Sequence, residues 1–256
     1  MPDFLLWAYA AVVGACVGSF LNVCIYRWPE GLSVISPRSR CPVCETPIRA
    51  RDNVPVLGWL LLRGKCRECG TRISIQYPLI ELTTASLWVA AVLRHGFTWQ
   101  ALSSAIFFTL LLGIALTDAR KYIIPDQFTW GGLAIGVALS FAPGGISPLQ
   151  SALGAVLGFA ILWVIAVLGE AVFRKPAMGG GDIKMMAMVG AFLGPPGVLL
   201  TIFLGALFGS LIFGPISMKT GKLVPFGIFL ALGAGITEPW GQAIVAWYLG
   251  TFVHPA

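Results

Sequence analysis

The chain has 256 residues, of which 57% are hydrophobic and 11% are charged, whereas about 25% of the residues of a typical soluble domain are charged. Together with a mean hydropathy of +0.84, this composition excludes an ordinary soluble protein and predicts a protein of the lipid bilayer. The formal net charge is +6, but no aromatic-studded basic face accompanies the basic residues, so we expect no nucleic-acid partner.

Apolar runs along the chain predict the membrane spans, since a helix of about 20 residues crosses the hydrocarbon core of a bilayer. These runs do not alternate polar and apolar residues, which excludes the strands of a membrane barrel. The sequence therefore predicts an all-α polytopic membrane protein with about eight transmembrane helices. The predicted spans are residues 4–26, 78–94, 99–117, 127–142, 148–169, 183–194, 195–214 and 225–250.

The first run is predicted to remain in the protein as a span. Acidic Asp3 stands where a signal peptide has a basic segment, and no small-residue cleavage site closes the run. In the last run, Glu238-Pro239 interrupts the apolar sequence. A single span and a re-entrant pair of helices therefore both stay open for residues 225–250.

Residues 27–77, between the first two spans, form a polar loop with too few apolar residues to bury a useful core. Within the loop, Cys41-Pro-Val-Cys44 and Cys66-Arg-Glu-Cys69 have the paired spacing that brings four thiolates to one zinc ion. Two disulfides or four unpaired thiols are the alternatives. Four cysteine ligands leave no position for water, so the spacing predicts a structural Zn²⁺ that folds the loop domain rather than a catalytic one.

Two aspartates lie at the ends of predicted spans. Asp118 ends the third span in LLGIALTDARKYIIPD, and Asp182 opens the sixth in MGGGDIKMM. An ionisable group at membrane depth costs at least about 2.5 kcal/mol, which makes each residue a functional hypothesis. The structural alternatives are that Asp182 caps a helix and that Asp118 pairs with Arg120 or Lys121. Asp126, which opens the fourth span, is interpreted as a helix cap, with membership of the aspartate site as the alternative.

Three glycines, Gly179, Gly180 and Gly181, directly precede Asp182. Glycines let another chain approach closely and take backbone conformations that are closed to other residues. Such a strip beside a carboxylate suits an extended peptide that approaches as a substrate. Two carboxylates that share one proton can activate water, so the sequence favours peptide hydrolysis.

Basic residues indicate the orientation, because cytoplasmic loops of membrane proteins retain Lys and Arg. Nine of the 17 basic residues lie in residues 27–77, and with eight spans only Arg94 falls on the opposite side. We therefore expect a periplasmic N-terminus and a cytoplasmic zinc loop whose arginines bind phospholipid head groups. Cysteines stay reduced there, which disfavours disulfides. His95 and His254 fall on the periplasmic side, which disfavours a Ser-His or zinc-histidine mechanism.

These motifs together resemble the bacterial type IV prepilin leader peptidase and N-methyltransferase family, whose members are aspartic membrane proteases with a GxGD motif. The resemblance covers nearly the whole chain, in GSFLNVCIYR, CPVC, DNVPVLGWLLLRGKCRECG, RISIQYPLIEL, TDARKYIIPD, GGGDIKMMAMVGA and VPFGIFLALGA. It implies that Asp118 and Asp182 are catalytic and that the four loop cysteines bind zinc.

The resemblance also implies two reactions in the bacterial inner membrane, serving type IV pili or type II secretion. The first cuts the leader of a prepilin or pseudopilin after glycine, and the second methylates the new α-amino group with S-adenosylmethionine. The domains implied are a first helix in residues 1–26, a zinc-binding methyltransferase part in 27–77 and an aspartic peptidase domain in 78–256. The sequence contains no glycine-rich nucleotide fingerprint, so it does not identify the residues that bind S-adenosylmethionine.

Two functions of other classes stay open when the residues are considered alone. One is a proton-coupled transporter, in which the carboxylate pair relays protons and the zinc loop is regulatory. Such a pair belongs near the bilayer midplane, whereas Asp118 and Asp182 lie at span ends. The other is an assembly module whose zinc loop docks a cytoplasmic ATPase and whose aspartates are structural.

Overall fold

The structure, a computed structural model, describes residues 3–175, 178–220 and 225–253. His254 lies outside these residues. The chain divides into two compact units, Met1–Thr109 and Leu110–Ala256. The described residues contain helices and isolated bridges but no named strand, which confirms the all-α prediction. The α-helices are α1 (Asp3–Arg27), α2 (Leu57–Leu61), α3 (Gln76–His95), α4 (Trp99–Lys121), α5 (Asp126–Leu139), α6 (Pro148–Phe173), α7 (Gly180–Thr220) and α8 (Phe226–Tyr248).

The structure does not confirm the predicted number of spans. Among the described residues, five helices are long and apolar enough to cross a bilayer, namely α1, α4, α6, α7 and α8. With 14 residues, α5 is about 21 Å long at 1.5 Å per residue, which is short of a hydrocarbon core of about 30 Å. In α3 the apolar sequence is interrupted by polar residues such as Glu81, Thr83 and Thr84. Eight spans are therefore not confirmed.

In the first unit, α1 packs closely against α3 through two glycines. A Cβ atom at Gly14 would lie 2.8 Å from the Cα of Ala85, and one at Gly18 would lie 2.8 Å from the Cα of Glu81. The buried Asn22 amide of α1 also donates to the Tyr77 carbonyl, at 3.1 Å. Small residues at these positions let the two backbones approach, as in other membrane helix pairs.

The polar loop is fastened to this helix pair by a buried carboxylate. The backbone N–H of Val56 donates to Glu81 Oε2 over 2.7 Å. Glu81 lies on α3 and is buried, whereas Val56 directly precedes α2. This hydrogen bond ties the second half of the loop to the membrane helices.

In the second unit, the first half of α7 is the most buried element, and α7 packs against α5, α6 and α8. Its residues Met185, Met186 and Val189 are inaccessible to solvent. On the α6 side, the backbones touch: a Cβ atom at Gly154 or at Gly190 would collide with the carbonyl oxygen of the other residue. This glycine seam holds the start of α7 in place.

Two of the predicted spans, residues 183–194 and 195–214, lie within α7. Gly194 has a non-helical backbone with φ 69°, a left-handed value that glycine adopts without steric cost. The helix therefore bends at the point where Pro195-Pro196 predicted a break. In contrast, α8 continues through Pro239 as one helix, so residues 225–250 do not form a re-entrant pair.

Large apolar side chains on the outside of α6 indicate which surface meets lipid. Leu153, Val156, Trp163 and Leu168 are all more than half exposed. Extended apolar surfaces of this kind are rare on soluble monomers. They fit a helix whose surroundings are acyl chains.

Candidate active site and metal centre

Asp118 lies in the last turn of α4 and is buried, with 6% of its surface exposed. Its Oδ2 atom accepts a hydrogen bond of 3.2 Å from the backbone N–H of Ile228, in the first turn of α8. The first N–H groups of a helix have no partner inside the helix and carry partial positive charge. The start of α8 therefore provides a binding place for the Asp118 carboxylate.

Gly227, the residue before Ile228, makes this contact possible. A Cβ atom there would lie 2.8 Å from Asp118 Oδ2 and 2.8 Å from Ile124 Cδ1. No L side chain fits at such distances without displacing a neighbour. The start of α8 thus has glycine because the carboxylate of Asp118 occupies the space where a side chain would be.

Asp182 lies in the first turn of α7 and is 9% exposed. Its Oδ1 atom is buried and has no hydrogen-bond partner in the part of the chain that the structure describes. Most buried polar atoms in proteins are paired. An unpaired carboxylate oxygen beside a second buried carboxylate is therefore unusual for a structural aspartate and usual for a site that receives a ligand.

The structure brings Asp118 and Asp182 together, close enough for the charge of Asp118 to act on Asp182. The side chain of Ile124 connects the two segments, because it lies beside Gly181 of α7 as well as Gly227 of α8. Asp118 accepts a hydrogen bond from a backbone N–H of α8. Asp182 has a backbone hydrogen bond at Gly179, directly before its own helix, but its Oδ1 atom is buried and has no partner among the described residues. The arrangement can hold one proton between two carboxylates and activate a water molecule.

The three glycines before Asp182 have different surroundings. A Cβ atom at Gly181 would lie 2.8 Å from Ile124 Cβ, and one at Gly179 would lie 3.2 Å from Asp182 Oδ2, whereas one at Gly180 would meet nothing within 4 Å. None of the three has a positive φ, so the expectation of special backbone conformations is wrong. Packing explains Gly181, and an open surface remains at Gly180.

Asp126 is the first residue of α5, so the N-cap position belongs to Pro125 and not to Asp126. Its carboxylate instead accepts hydrogen bonds of 2.7 and 3.0 Å from Lys184 Nζ. The interpretation of Asp126 as a helix cap is therefore wrong. The ion pair joins α5 to the first turns of α7, two residues after Asp182.

In the first unit, the four loop cysteines form a cluster in which all Sγ atoms lie within 4.8 Å of one another. Cys41 Sγ and Cys69 Sγ are 3.8 Å apart, and Cys44 Sγ and Cys66 Sγ are 3.9 Å apart. Four sulfurs around Zn²⁺ with bonds of about 2.3 Å have edges of about 3.8 Å in a tetrahedron. The cysteines are free, which excludes the alternative of two disulfides. The donor set fits a four-coordinate zinc ion.

The two Cys-x-x-Cys segments have the same backbone design. The N–H of Cys41 donates to the Thr46 carbonyl, and the N–H of Cys66 donates to the Thr71 carbonyl. A residue with left-handed φ follows each second cysteine, at Glu45 and at Gly70. Each segment is therefore a tight knuckle that aims both of its thiols at the same point.

The surroundings of Cys44 and Cys69 shift the pKa values of these two thiols in opposite directions. The hydroxyl and backbone N–H of Thr46 lower the pKa of Cys44 to about 6. At Cys69, the Thr71 backbone favours the thiolate, but desolvation and three neighbouring thiols outweigh it and raise the pKa to about 11. A divalent cation at the centre removes this conflict, since it neutralises the thiolates that bind it.

Sequence reasoning missed three features of these sites. The Ile228 N–H and Gly227 were included in the motif VPFGIFLALGA, but nothing in the motif linked them to Asp118. Lys184 was counted only as a topology signal. The repetition of Cys-x-x-Cys-x-Thr in both knuckles was a signal that could have been found, because threonine occupies the same position in each. His95, the last residue of α3, lies in the other unit from the aspartates.

Comparison with protein families gives two separate matches along the chain. Residues 12–95 match the model of the bacterial peptidase A24 N-terminal domain, and residues 105–214 match that of the type IV leader peptidase family. The first match contains the cysteine cluster, and the second contains Asp118 and Asp182. No solved structure matches the chain.

Relatives from several bacteria cover nearly the whole chain. A prepilin leader peptidase/N-methyltransferase of Aeromonas salmonicida (strain A449) is 35% identical, and the alignment covers 97% of each chain. Proteins with the same name from Neisseria gonorrhoeae and Bacillus subtilis (strain 168) are each 35% identical, over 96% and 93% of this chain and 94% and 96% of their own lengths. With its candidate spans, the chain is a multi-pass inner-membrane peptidase, and it belongs to the type IV leader peptidase family.

Proposed function

We propose that this protein is an aspartic endopeptidase that removes the leader of type IV prepilins or type II secretion pseudopilins after glycine and then N-methylates the new terminal residue. The observation that carries the proposal is the buried pair of Asp118 and Asp182, with one unpaired oxygen on Asp182. The names of the relatives support both activities.

The two aspartates have different roles in hydrolysis. Asp118 accepts the Ile228 N–H, which stabilises its negative charge, so Asp118 is the base that takes a proton from water. Asp182 holds the shared proton and donates it to the carbonyl oxygen of the scissile bond. The water oxygen then attacks the carbonyl carbon. As the C–N bond breaks, the leaving amine takes the proton that Asp118 holds, and a hydroxyl proton of the tetrahedral intermediate returns to Asp182.

The prepilin leader approaches along Gly179, Gly180 and Gly181. Gly180 supports this role best, because no atom beyond its chain neighbours and the adjacent backbone of its own helix lies within 4 Å of the position that a Cβ atom would occupy. An extended substrate chain can lie against such glycine backbone without a steric clash, because glycine has no side chain. The substrate glycine at the scissile bond would then lie beside the Asp182 carboxylate.

We assign the methyl transfer to the loop of residues 27–77, and the peptidase reaction to residues 78–256. Cys41, Cys44, Cys66 and Cys69 hold a structural Zn²⁺ whose four sulfur ligands leave no open position. S-adenosylmethionine supplies the methyl group when bound. The loop's own task is to bind this donor and to hold the pilin amine beside it.

The N-terminus is periplasmic and the cysteine loop is cytoplasmic in this proposal. The abundance of basic residues in the loop supports the orientation. A prepilin in the same membrane would present its leader on the cytoplasmic side, where both reactions would occur. Loop arginines then lie near anionic head groups, which gives the protein its lipid contacts.

The position of the aspartates does not favour a transporter. Asp118 is in the last turn of α4 and Asp182 is in the first turn of α7, so both lie at helix ends rather than in the middle of a span. A proton relay for transport belongs near the bilayer midplane. The family comparisons likewise match peptidases.

Incubation of the purified protein with a prepilin and S-adenosylmethionine tests the proposal. Mass spectrometry should show a product that ends at the expected glycine junction, together with the same product one methyl group heavier. An uncut prepilin would contradict the peptidase assignment. A cut but unmethylated product would contradict the second activity alone.

A further inference from the structure

The first unit contains a cavity of about 290 Å³ between the two knuckles and the adjoining ends of α1 and α3. Cys41 and Cys66 form part of its wall, and so do Tyr26 and Tyr77. The volume is near the lower end of small-molecule sites, which begin at about 300 Å³. The aspartate pair belongs to the other unit, and neither aspartate lines the cavity.

The aromatic part of the wall suits a cation or a planar heterocycle. Tyr26 and Tyr77 stack with ring centroids 5.5 Å apart and planes at 19°. They are 41% and 37% exposed, so part of each ring is accessible. Tyrosine faces attract cations such as sulfonium and stack against purines.

The charged part of the wall suits a zwitterion. Arg67 Nε donates to Asp52 Oδ2 at 2.8 Å, and Arg49 donates to Glu68 at 3.1 Å. Arg72 adds a third guanidinium. The wall thus contains carboxylates as well as guanidinium groups, which disfavours a polyanion and offers partners to an ammonium as well as a carboxylate.

We propose that this cavity binds S-adenosylmethionine, the methyl donor of the proposed second activity, on which this inference rests. The sulfonium and purine match the faces of Tyr26 and Tyr77. The apolar side chains of Ile48, Leu62 and Ile73, which also line the cavity, match the remainder of the adenosyl group. The amino-acid end matches the arginine and carboxylate pairs.

A donor site in this cavity explains why the cysteine cluster lies in the loop to which we assign methyl transfer. Two of the cysteines form part of the cavity wall, so zinc loss would dismantle the donor site. In the transfer, the nitrogen lone pair of the pilin amine forms the new N–CH₃ bond. The S–CH₃ bond breaks, its electron pair stays on sulfur, and the nitrogen loses a proton to solvent.

Equilibrium dialysis of the full-length, zinc-loaded protein against labelled S-adenosylmethionine, without pilin, tests the site. We expect Tyr26→Leu and Tyr77→Leu to weaken binding at least about tenfold, and Tyr77→Phe to stay within about threefold of wild type, because phenylalanine keeps the aromatic face. Tyr9→Leu is the matched control. Tyr9 is also an exposed α1 tyrosine in a ring pair, with Phe97 at 6.1 Å, but it does not line the cavity.

Zinc content and thermal unfolding identify any variant that has failed to fold, and ultraviolet crosslinking of the labelled donor should mark peptides that contain Tyr26 or Tyr77. Folded leucine variants that bind the donor like wild type would overturn the site, including variants that bind it but no longer methylate. The proposed methyl transfer would still stand in that case. A wild-type protein that cleaves prepilin but neither binds the donor nor methylates would overturn both.

Discussion

Asp118 and Asp182 are both buried, yet their hydrogen bonding differs. Asp118 has a backbone donor at the start of α8, whereas Asp182 Oδ1 has none among the described residues. A buried acceptor left without a partner costs about 1–3 kcal/mol. Asp182 Oδ1 can therefore accept a hydrogen bond from a water molecule or, when it carries the shared proton, donate one to a substrate carbonyl.

Replacing either aspartate by asparagine should abolish leader cleavage. Asp118→Asn removes the base and Asp182→Asn removes the proton donor, while both changes keep the shape of the side chain. We expect rates to fall by roughly 10²–10⁴-fold or more, measured by mass spectrometry of prepilin cleavage. Asp126→Asn is the control, since Asp126 is exposed and pairs with Lys184, and it should cleave at a rate near that of wild type. A single Asp118 or Asp182 variant that keeps a tenth of the activity would disprove the two-aspartate mechanism.

Gly227→Ala should impair the chemical step rather than substrate binding. The new methyl group would lie 2.8 Å from Asp118 Oδ2 and push the carboxylate away from the Ile228 N–H. A displacement of about 1 Å can cost about 10²-fold in rate, so kcat should fall while KM changes little. Gly131→Ala is the matched control, because a Cβ atom there meets nothing within 4 Å. Equal kcat values for the two variants would contradict this role of Gly227.

At the scale of elements, the contact between α6 and α7 sets the position of Asp182. Gly154 and Gly158 of α6 lie against the backbone of Gly190 and Met186 in α7. Their spacing is that of the small-residue motifs by which membrane helices pack. Because Asp182 opens α7, a shift of this seam moves the carboxylate as well.

Gly158→Ala should therefore reduce stability and activity together. A Cβ atom at Gly158 would collide with the carbonyl oxygen of Met186, and overpacking of this kind typically costs about 1–3 kcal/mol. Thermal unfolding in detergent and the cleavage rate are the measurements. Gly131→Ala again serves as the control and should leave both unchanged. A Gly158→Ala protein with wild-type unfolding temperature would show that the seam tolerates a methyl group.

Sequence patterns predicted the positions of the helices and of the cysteine motifs better than the contacts between distant residues. Apolar runs located the long helices, and local spacing located the cysteines, since both signals are contained in short stretches of chain. The number of spans was not confirmed because hydropathy does not fix helix length, as the 14-residue α5 shows. The contact of Asp118 with Ile228 joins residues 110 positions apart, and the pairing of Asp126 with Lys184 joins residues 58 apart. Such contacts leave no periodic trace in the sequence.

At the scale of the whole molecule, the two candidate sites are stabilised by different interactions. The cysteine cluster lies in the unit Met1–Thr109, and the aspartate pair lies in Leu110–Ala256. The cluster lies in a loop with little apolar core, so a metal bound there would supply much of the loop's folding free energy, on the order of 10 kcal/mol for a structural zinc. Helix packing holds the aspartates. The two activities should therefore respond differently to metal loss.

Cys66→Ser should release the metal, disorder the loop and remove methyl transfer, while cleavage should fall less. Metal analysis and mass spectrometry of the pilin product measure these effects separately. Cys16→Ser is the control, because Cys16 is an exposed cysteine of α1 outside the cluster, and it should keep both metal and activities. A metal-free Cys66→Ser protein that methylates at the wild-type rate would refute the role of the cluster and leave the aspartate pair unaffected.

The contact between Gly154 and Gly190 also has a consequence for how this protein can change by mutation. Every other amino acid carries a Cβ atom, so each substitution at either position inserts atoms where a carbonyl oxygen of the opposite helix already lies. In a saturation mutagenesis library selected for prepilin processing, these two positions should accept glycine alone. The exposed apolar face of α6, in contrast, should accept most apolar residues. The library would therefore show invariant positions in the α6–α7 seam and variable positions on the exposed face of α6.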